Sequence, residues 1–293
     1  MRARTPDKEG QIEREGVWLG YEVFGDGEPT VLLMPTWTII HSRFWKMQVP
    51  YLSRHQRVIT YDGPGNGRSD RVADPARYSV DSYAADAVAV LDECNVDRAV
   101  VVGLSLGAAY SARLASLRPD LVLAMVLVGS PFPITPPLPE RAQIPEQFSE
   151  PYPQDPAGWE KYNAAYWHDY YEDFVTFFFE QCISEPHSTK QREDAVGWAL
   201  ETGPEVLTAE AAKPPLNAAG AVAWRKVLEG IDCPTLVVHG TRDQVTPHEC
   251  GLEVARLTGG TMISMEGSGH MPNCRDPVRF NLELRSFLRE VAA

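Results

Sequence analysis

The sequence predicts an α/β fold: a mostly parallel central sheet with helices on both faces and a helical lid inserted into it. Three observations predict this. Short aliphatic and β-branched runs alternate with helical patterns along the chain. Those runs are near-continuous rather than alternating, which suits strands covered on both faces. One long interruption, rich first in proline and then in aromatic residues, separates the last strand–helix units from the rest. Repeated strand–helix–strand connections are expected to cross over right-handed.

In chain order, residues 1–15 are charged and hold no apolar run, so they are expected to be disordered and not to act as a signal peptide. "TVLLMP" (30–35) and "RVITYD" (57–62) read as strands. "DSYAADAVAVLDECNV" (81–96) reads as a helix capped by Asp81. "AVVVGL" (99–104) is a strand, "AAYSARLASLRP" (108–119) a helix ended by Pro119, and "AMVLVG" (124–129) a strand. Nine prolines between Pro131 and Pro156 then rule out regular structure and predict an irregular connector. Residues 159–183 read as one helix, because Trp159, Tyr162, Tyr166, Tyr170, Phe174 and Phe177 recur at three- and four-residue spacing. Trp167, Tyr171 and Phe178 widen that arc, and a further helix is expected near 190–202. Strands resume at "TLVVHG" (235–240) and "TMISMEG" (261–267). A last helix over 276–291 turns Val278, Phe280, Leu282, Leu284 and Phe287 toward one side. The core is therefore 16–130 with 231–293, and the lid 131–230.

The composition narrows the function classes. The chain has 293 residues, 44% hydrophobic and 23% charged, as in an ordinary globular protein of one large domain or two small ones. A net charge of −13 weighs against nucleic acid and anionic lipid as partners, and no apolar run approaches a membrane span. Five scattered cysteines without C-x-x-C spacing suit free thiols in a reducing cytoplasm. No cluster has metal-ligand spacing, and "GPGNG" (63–67) lacks the signatures of a phosphate loop. Neither metal nor cofactor is expected. The expected partner is a small-molecule substrate; a monomer and a homodimer are both compatible.

The chemistry centres on "GLSLG" (103–107). Ser105 follows a buried strand and precedes a helix, the context a strained nucleophile turn requires. Gly103 and Gly107 supply the small neighbours that such a turn needs. Of seven histidines, only His270 sits between a last strand and the final helix, with glycines at 267 and 269 to let its ring reach over the sheet edge. Asp243, in "HGTRDQVTP", stands just beyond the strand 235–240, where an acid could orient that ring. The alternative for Asp243 is a helix N-cap. Asp62 is a competing acid, read as bonding its own glycine-rich turn.

The order Ser, Asp, His, with "GLSLG", "HGTRDQVTP", "GSGH" (267–270) and "YDGPGNGRSD" (61–70), resembles the α/β-hydrolase family, in its lidded serine esterase-like branch. The resemblance spans nearly all of residues 17–291. It implies Ser105 as nucleophile, Asp243 as acid and His270 as base. It also implies that the backbone N–H groups of Leu106 and Trp37 bind the oxyanion. The chain departs from many relatives in carrying Pro35 and Thr36 where His-Gly is usual. Thr36 lacks the backbone freedom of glycine.

The expected reaction is cleavage of a carboxylic ester of a neutral hydrophobic molecule through an acyl-enzyme, under lid aromatics and in a pocket with few charges. Trp37, His41, Trp167 and Met271 are the candidate substrate contacts. A serine at the turn argues against haloalkane dehalogenase and epoxide hydrolase chemistry. A thioesterase, lactonase, C–C hydrolase or cofactor-free perhydrolase would use the same triad. A ligand receptor with slow turnover is the alternative from another class.

Overall fold

A computed structural model describes residues 4–213 and 220–292. The parts of the N-terminal segment and of the lid that fall on 1–3 and 214–219 lie outside them. In chain order come β1 (Lys8–Arg14), β2 (Val17–Phe24), β3 (Val31–Leu33), α1 (Val49–Leu52), β4 (Val58–Tyr61), α2 (Val80–Glu93), β5 (Ala99–Leu104), α3 (Leu106–Leu117) and β6 (Val122–Val128). Then follow α4 (Ile144–Gln147), α5 (Ala164–Asp169), α6 (Tyr171–Cys182), α7 (Thr189–Ala199), α8 (Pro204–Ala211) and α9 (Gly220–Glu229). β7 (Thr235–Gly240), α10 (His248–Thr258), β8 (Thr261–Met265), α11 (Pro272–Arg275) and α12 (Pro277–Ala292) close the chain.

The eight strands form one sheet in the order β1-β2-β4-β3-β5-β6-β7-β8. β1 and β2 run antiparallel to their neighbours, and the other strands are parallel. The aliphatic runs form central strands because each face of the sheet meets its own apolar layer. Val31, Leu33, Val100 and Val102 pack toward α1, α12 and the aromatic helices α5 and α6. Leu32, Val101, Met125 and Val237 pack toward α2, α3, α9 and α10. Among the described residues no helix is long and apolar enough to cross a membrane. All five cysteines are unpaired.

Several elements differ from the sequence reading, each for a physical reason. The expected disorder over 1–15 is corrected: Lys8–Arg14 is a strand paired with β2 from Lys8↔Val23 to Arg14↔Val17. Glu15 and Gly16 both have positive φ (53° and 77°), as a two-residue hairpin turn demands. The cap of α2 is Ser79, whose side chain accepts from the Ser82 N–H, and Asp81 lies inside the first turn. The helix expected over 159–183 is broken. A 3₁₀ turn at Gly158–Lys161 precedes α5, and Tyr170, at φ −140° and ψ 50°, separates α5 from α6. Asn163 caps α5 through Tyr166 N–H and donates to the carbonyls of Gln147 and Glu150, tying the proline-rich stretch to the helices. In α12 Phe280, Leu284 and Leu288 are buried, while Val278 and Leu282 face solvent on the opposite side of the helix. Finally, α9 lies within the range assigned to the lid but packs on the core helices α3 and α10. Its Trp224 packs tilted against Phe132, with ring centroids 5.0 Å apart.

Candidate active site

The turn between β5 and α3 is built by close approach. Ser105 sits at φ 53° and ψ −123°, a backbone state that non-glycine residues rarely hold. Its N–H donates to the Val128 carbonyl at 2.8 Å, which pins it to the neighbouring strand. A Cβ on residue 103 would stand 2.1 Å from the Gly107 carbonyl oxygen, and one on residue 107 would stand 2.5 Å from that of Pro35. Only glycine fits at either place.

Asp243 and His270 meet beside this turn. His270 Nδ1 lies 2.7 Å from Asp243 Oδ2, and both side chains are buried. Asp243 is saturated: Oδ1 accepts from the N–H groups of Val245 (2.7 Å) and Thr246 (3.0 Å), and Oδ2 accepts from Thr246 Oγ1 (2.9 Å). Burial works to raise its pKa, but the fields and hydrogen bonds of His270 and His239 outweigh it and hold the carboxyl below the usual range. The loop carrying His270 is fastened to the end of α6, where the His270 N–H donates to the Cys182 carbonyl at 3.0 Å. Asp62, the competing acid, accepts from the N–H groups of Ser42 (2.8 Å) and Arg68 (2.9 Å) and so ties its own turn to the segment after β3.

A cavity of about 660 Å³ opens over the turn, lined by Ser105, Leu106, Trp37, His270 and Met271. Neither the Leu106 nor the Trp37 N–H has a hydrogen-bond partner among the described residues. Thr36 needs no positive φ, so the loop carries threonine in place of glycine without strain. Two expected substrate contacts are corrected. His41 does not line the cavity; it is buried as the cap of a 3₁₀ turn, accepting from Arg43 N–H, with Nε2 3.3 Å from Glu201 Oε2. Burial lowers its pKa. Trp167 does not line it either. It is fully buried behind Trp37 (5.9 Å) and Phe174 (4.9 Å), inside the aromatic cluster of α5 and α6. The lining is mainly apolar, and Arg141, Glu210 and Lys213 are its charged members.

Sequence reasoning missed His239 and Arg141. His239 is fully buried in β7, with Nε2 3.0 Å from the same Asp243 oxygen that His270 engages. A titratable ring in an otherwise aliphatic strand just ahead of the acid was its signal. Arg141 is the only basic residue of the proline-rich stretch 131–156.

A family model described as alpha/beta hydrolase fold matches residues 29–277. Among curated proteins, the chain is 26% identical over 258 residues to a putative carbamate hydrolase RutD of Pseudomonas syringae, covering 84% of this chain and 88% of that one. It is 27% identical over 265 residues to a 2-hydroxymuconate semialdehyde hydrolase of Pseudomonas sp. strain CF600, covering 85% and 82%. Among solved structures it resembles Est816, described as an N-acyl homoserine lactone degrading enzyme, with a TM-score of 0.74 and 26% identity over 95% of this chain and 100% of that one.

Proposed function

Because the chain belongs to the alpha/beta hydrolase fold family, we propose that it hydrolyses a carboxylic ester through an acyl-enzyme on Ser105. His270 takes the Ser105 proton as the hydroxyl attacks the carbonyl carbon. Asp243 orients the ring and stabilises the imidazolium. The N–H groups of Leu106 and Trp37 receive the oxyanion. Collapse expels the alcohol, which takes the proton from His270. Water, activated by His270, then attacks the acyl-enzyme and releases the acid and free Ser105. With Nδ1 on Asp243, Nε2 is the nitrogen left to do this work.

One observation carries the reading: a strained serine and a histidine line one cavity, and the histidine is held 2.7 Å from a buried aspartate behind it. The likeness to a 2-hydroxymuconate semialdehyde hydrolase makes C–C bond hydrolysis on the same three residues the second reading. A fluorophosphonate probe is expected to label the chain once, at Ser105, and Ser105→Ala to lower turnover of p-nitrophenyl esters by about 10⁴- to 10⁶-fold with the fold intact. Labelling at another residue, or turnover retained in Ser105→Ala, would sink the assignment. A single burst without further product would instead mark a receptor.

A further inference from the structure

Arg141 lines the same cavity as Ser105 and His270, yet among the described residues no carboxylate forms an ion pair with it. Its Nη1 donates to the carbonyl of Val245, two residues past Asp243. Its guanidinium lies over Trp159, with Cζ 4.5 Å from the ring centroid. A carbonyl and an aromatic face hold the group in place without cancelling its charge. Its Nε is buried with no hydrogen-bond partner. Among the described residues no carboxylate pairs with it, and both acids at hand are committed. Asp243 serves His270, His239, Val245 and Thr246. Glu210 pairs with Lys213 at 2.6 Å and accepts from the Thr38 N–H and hydroxyl. Lys213, the other cavity-lining cation, is therefore neutralised and Arg141 is not.

A desolvated guanidinium without a counter-ion is unfavourable, so this placement does not serve stability. We propose that Arg141 is the binding site for a carboxylate carried by the substrate, which makes the substrate an acid-bearing ester such as the half-ester of a dicarboxylic acid. With Nη1 on Val245, Nη2 and the unpartnered Nε are the donors left over, and together they have the fork geometry that matches a carboxylate bidentately. The rest of the lining is mainly apolar, with Ile39, Leu104, Phe178 and Met271 available to a hydrocarbon spacer. The expected preference for neutral esters is thereby reversed. The fate of the bound molecule rests on the hydrolase reading, but the binding itself does not.

Calorimetry separates the two. Half-amides of dicarboxylic acids of graded length, which offer no ester to cleave, are titrated beside the neutral diamides of the same length. The intact chain is expected to bind the best-fitting half-amide at least about tenfold tighter than its diamide, the effect of one charge-assisted pair. Arg141→Met is expected to bring that ratio to about one while diamide binding and the melting temperature hold. Arg141→Lys should keep part of the preference. A ratio near one in the unmodified chain overturns the proposal. So does a ratio unchanged in Arg141→Met, which would assign the anion to another cation, or an equal loss for both ligands, which would make Arg141 a structural residue. Failure of Ser105 to take the fluorophosphonate would sink the hydrolase reading and leave this result standing.

Discussion

Asp243 Oδ2 faces two histidines, His270 at 2.7 Å and His239 at 3.0 Å, and the second places a donor behind the acid. In the proposed mechanism His239, with Nε2 protonated, would hold the carboxylate in the plane that His270 needs and so act through Asp243 as a positioning residue. His239→Phe keeps ring volume and removes that donor. It is expected to lower kcat by about tenfold at unchanged KM and to distort the pH–rate profile, against about 10⁴-fold for Asp243→Asn. A wild-type profile in His239→Phe would reduce the ring to packing. Stability carries a second signature. The folded Asp243 pKa lies below its unfolded value of about 3.9, so its contribution is present above that pH and is lost as pH falls. Urea midpoints measured from about pH 5 to pH 3 should therefore fall less steeply in Asp243→Asn. Ser105, Asp243 and His270 were readable because each stands at a fixed short offset from a strand end. His239 and Arg141 were not, since their roles depend on which oxygen or cavity the folded chain sets beside them.

At the scale of elements, the β5–α3 turn and the loop after β3 are one packed unit. Gly107 touches the Pro35 carbonyl, and Trp37 follows two residues on. Gly107→Ala forces a Cβ to 2.5 Å from that backbone oxygen, which must move. It is expected to destabilise the fold by about 3 kcal/mol, read as a drop in melting temperature. It should also lower kcat, because the shift is passed to the Trp37 N–H. An alanine variant with both values unchanged would mean that the two loops are not coupled. Trp37 also packs edge-on against Phe178 at 4.9 Å, so α6 rests on this same unit. The strands were readable from their aliphatic runs, and the lid aromatics from their period. The break between α5 and α6 was not, because Tyr166, Tyr170 and Phe174 keep a four-residue step across it. The hairpin of β1 escaped notice because its exposed face alternates charges with few apolar residues.

Across the whole molecule, β1 closes one edge of the sheet with exposed Lys8, Glu9 and Glu13, charges that discourage pairing with another strand. Arg14 at its end joins Arg77 on the fully buried Asp86, whose pKa burial raises despite both cations. The strand thus fastens the N-terminal segment to α2. The central seam of the sheet has another character. β6 and β7 lie side by side, from Met125↔Thr235 to Val128↔Val238, although the whole of residues 129–234 is looped out between them. Ser105 precedes that loop, and Asp243 and His270 follow it. Closing so long a loop carries an entropic penalty before any contact rewards it, and such pairings form slowly. The chain is therefore expected to make its helices early and the Ser105–His270 site late. In a refolding time course, ester hydrolysis should return well after the far-ultraviolet helical signal. Simultaneous recovery would mean that the seam forms with the first structure.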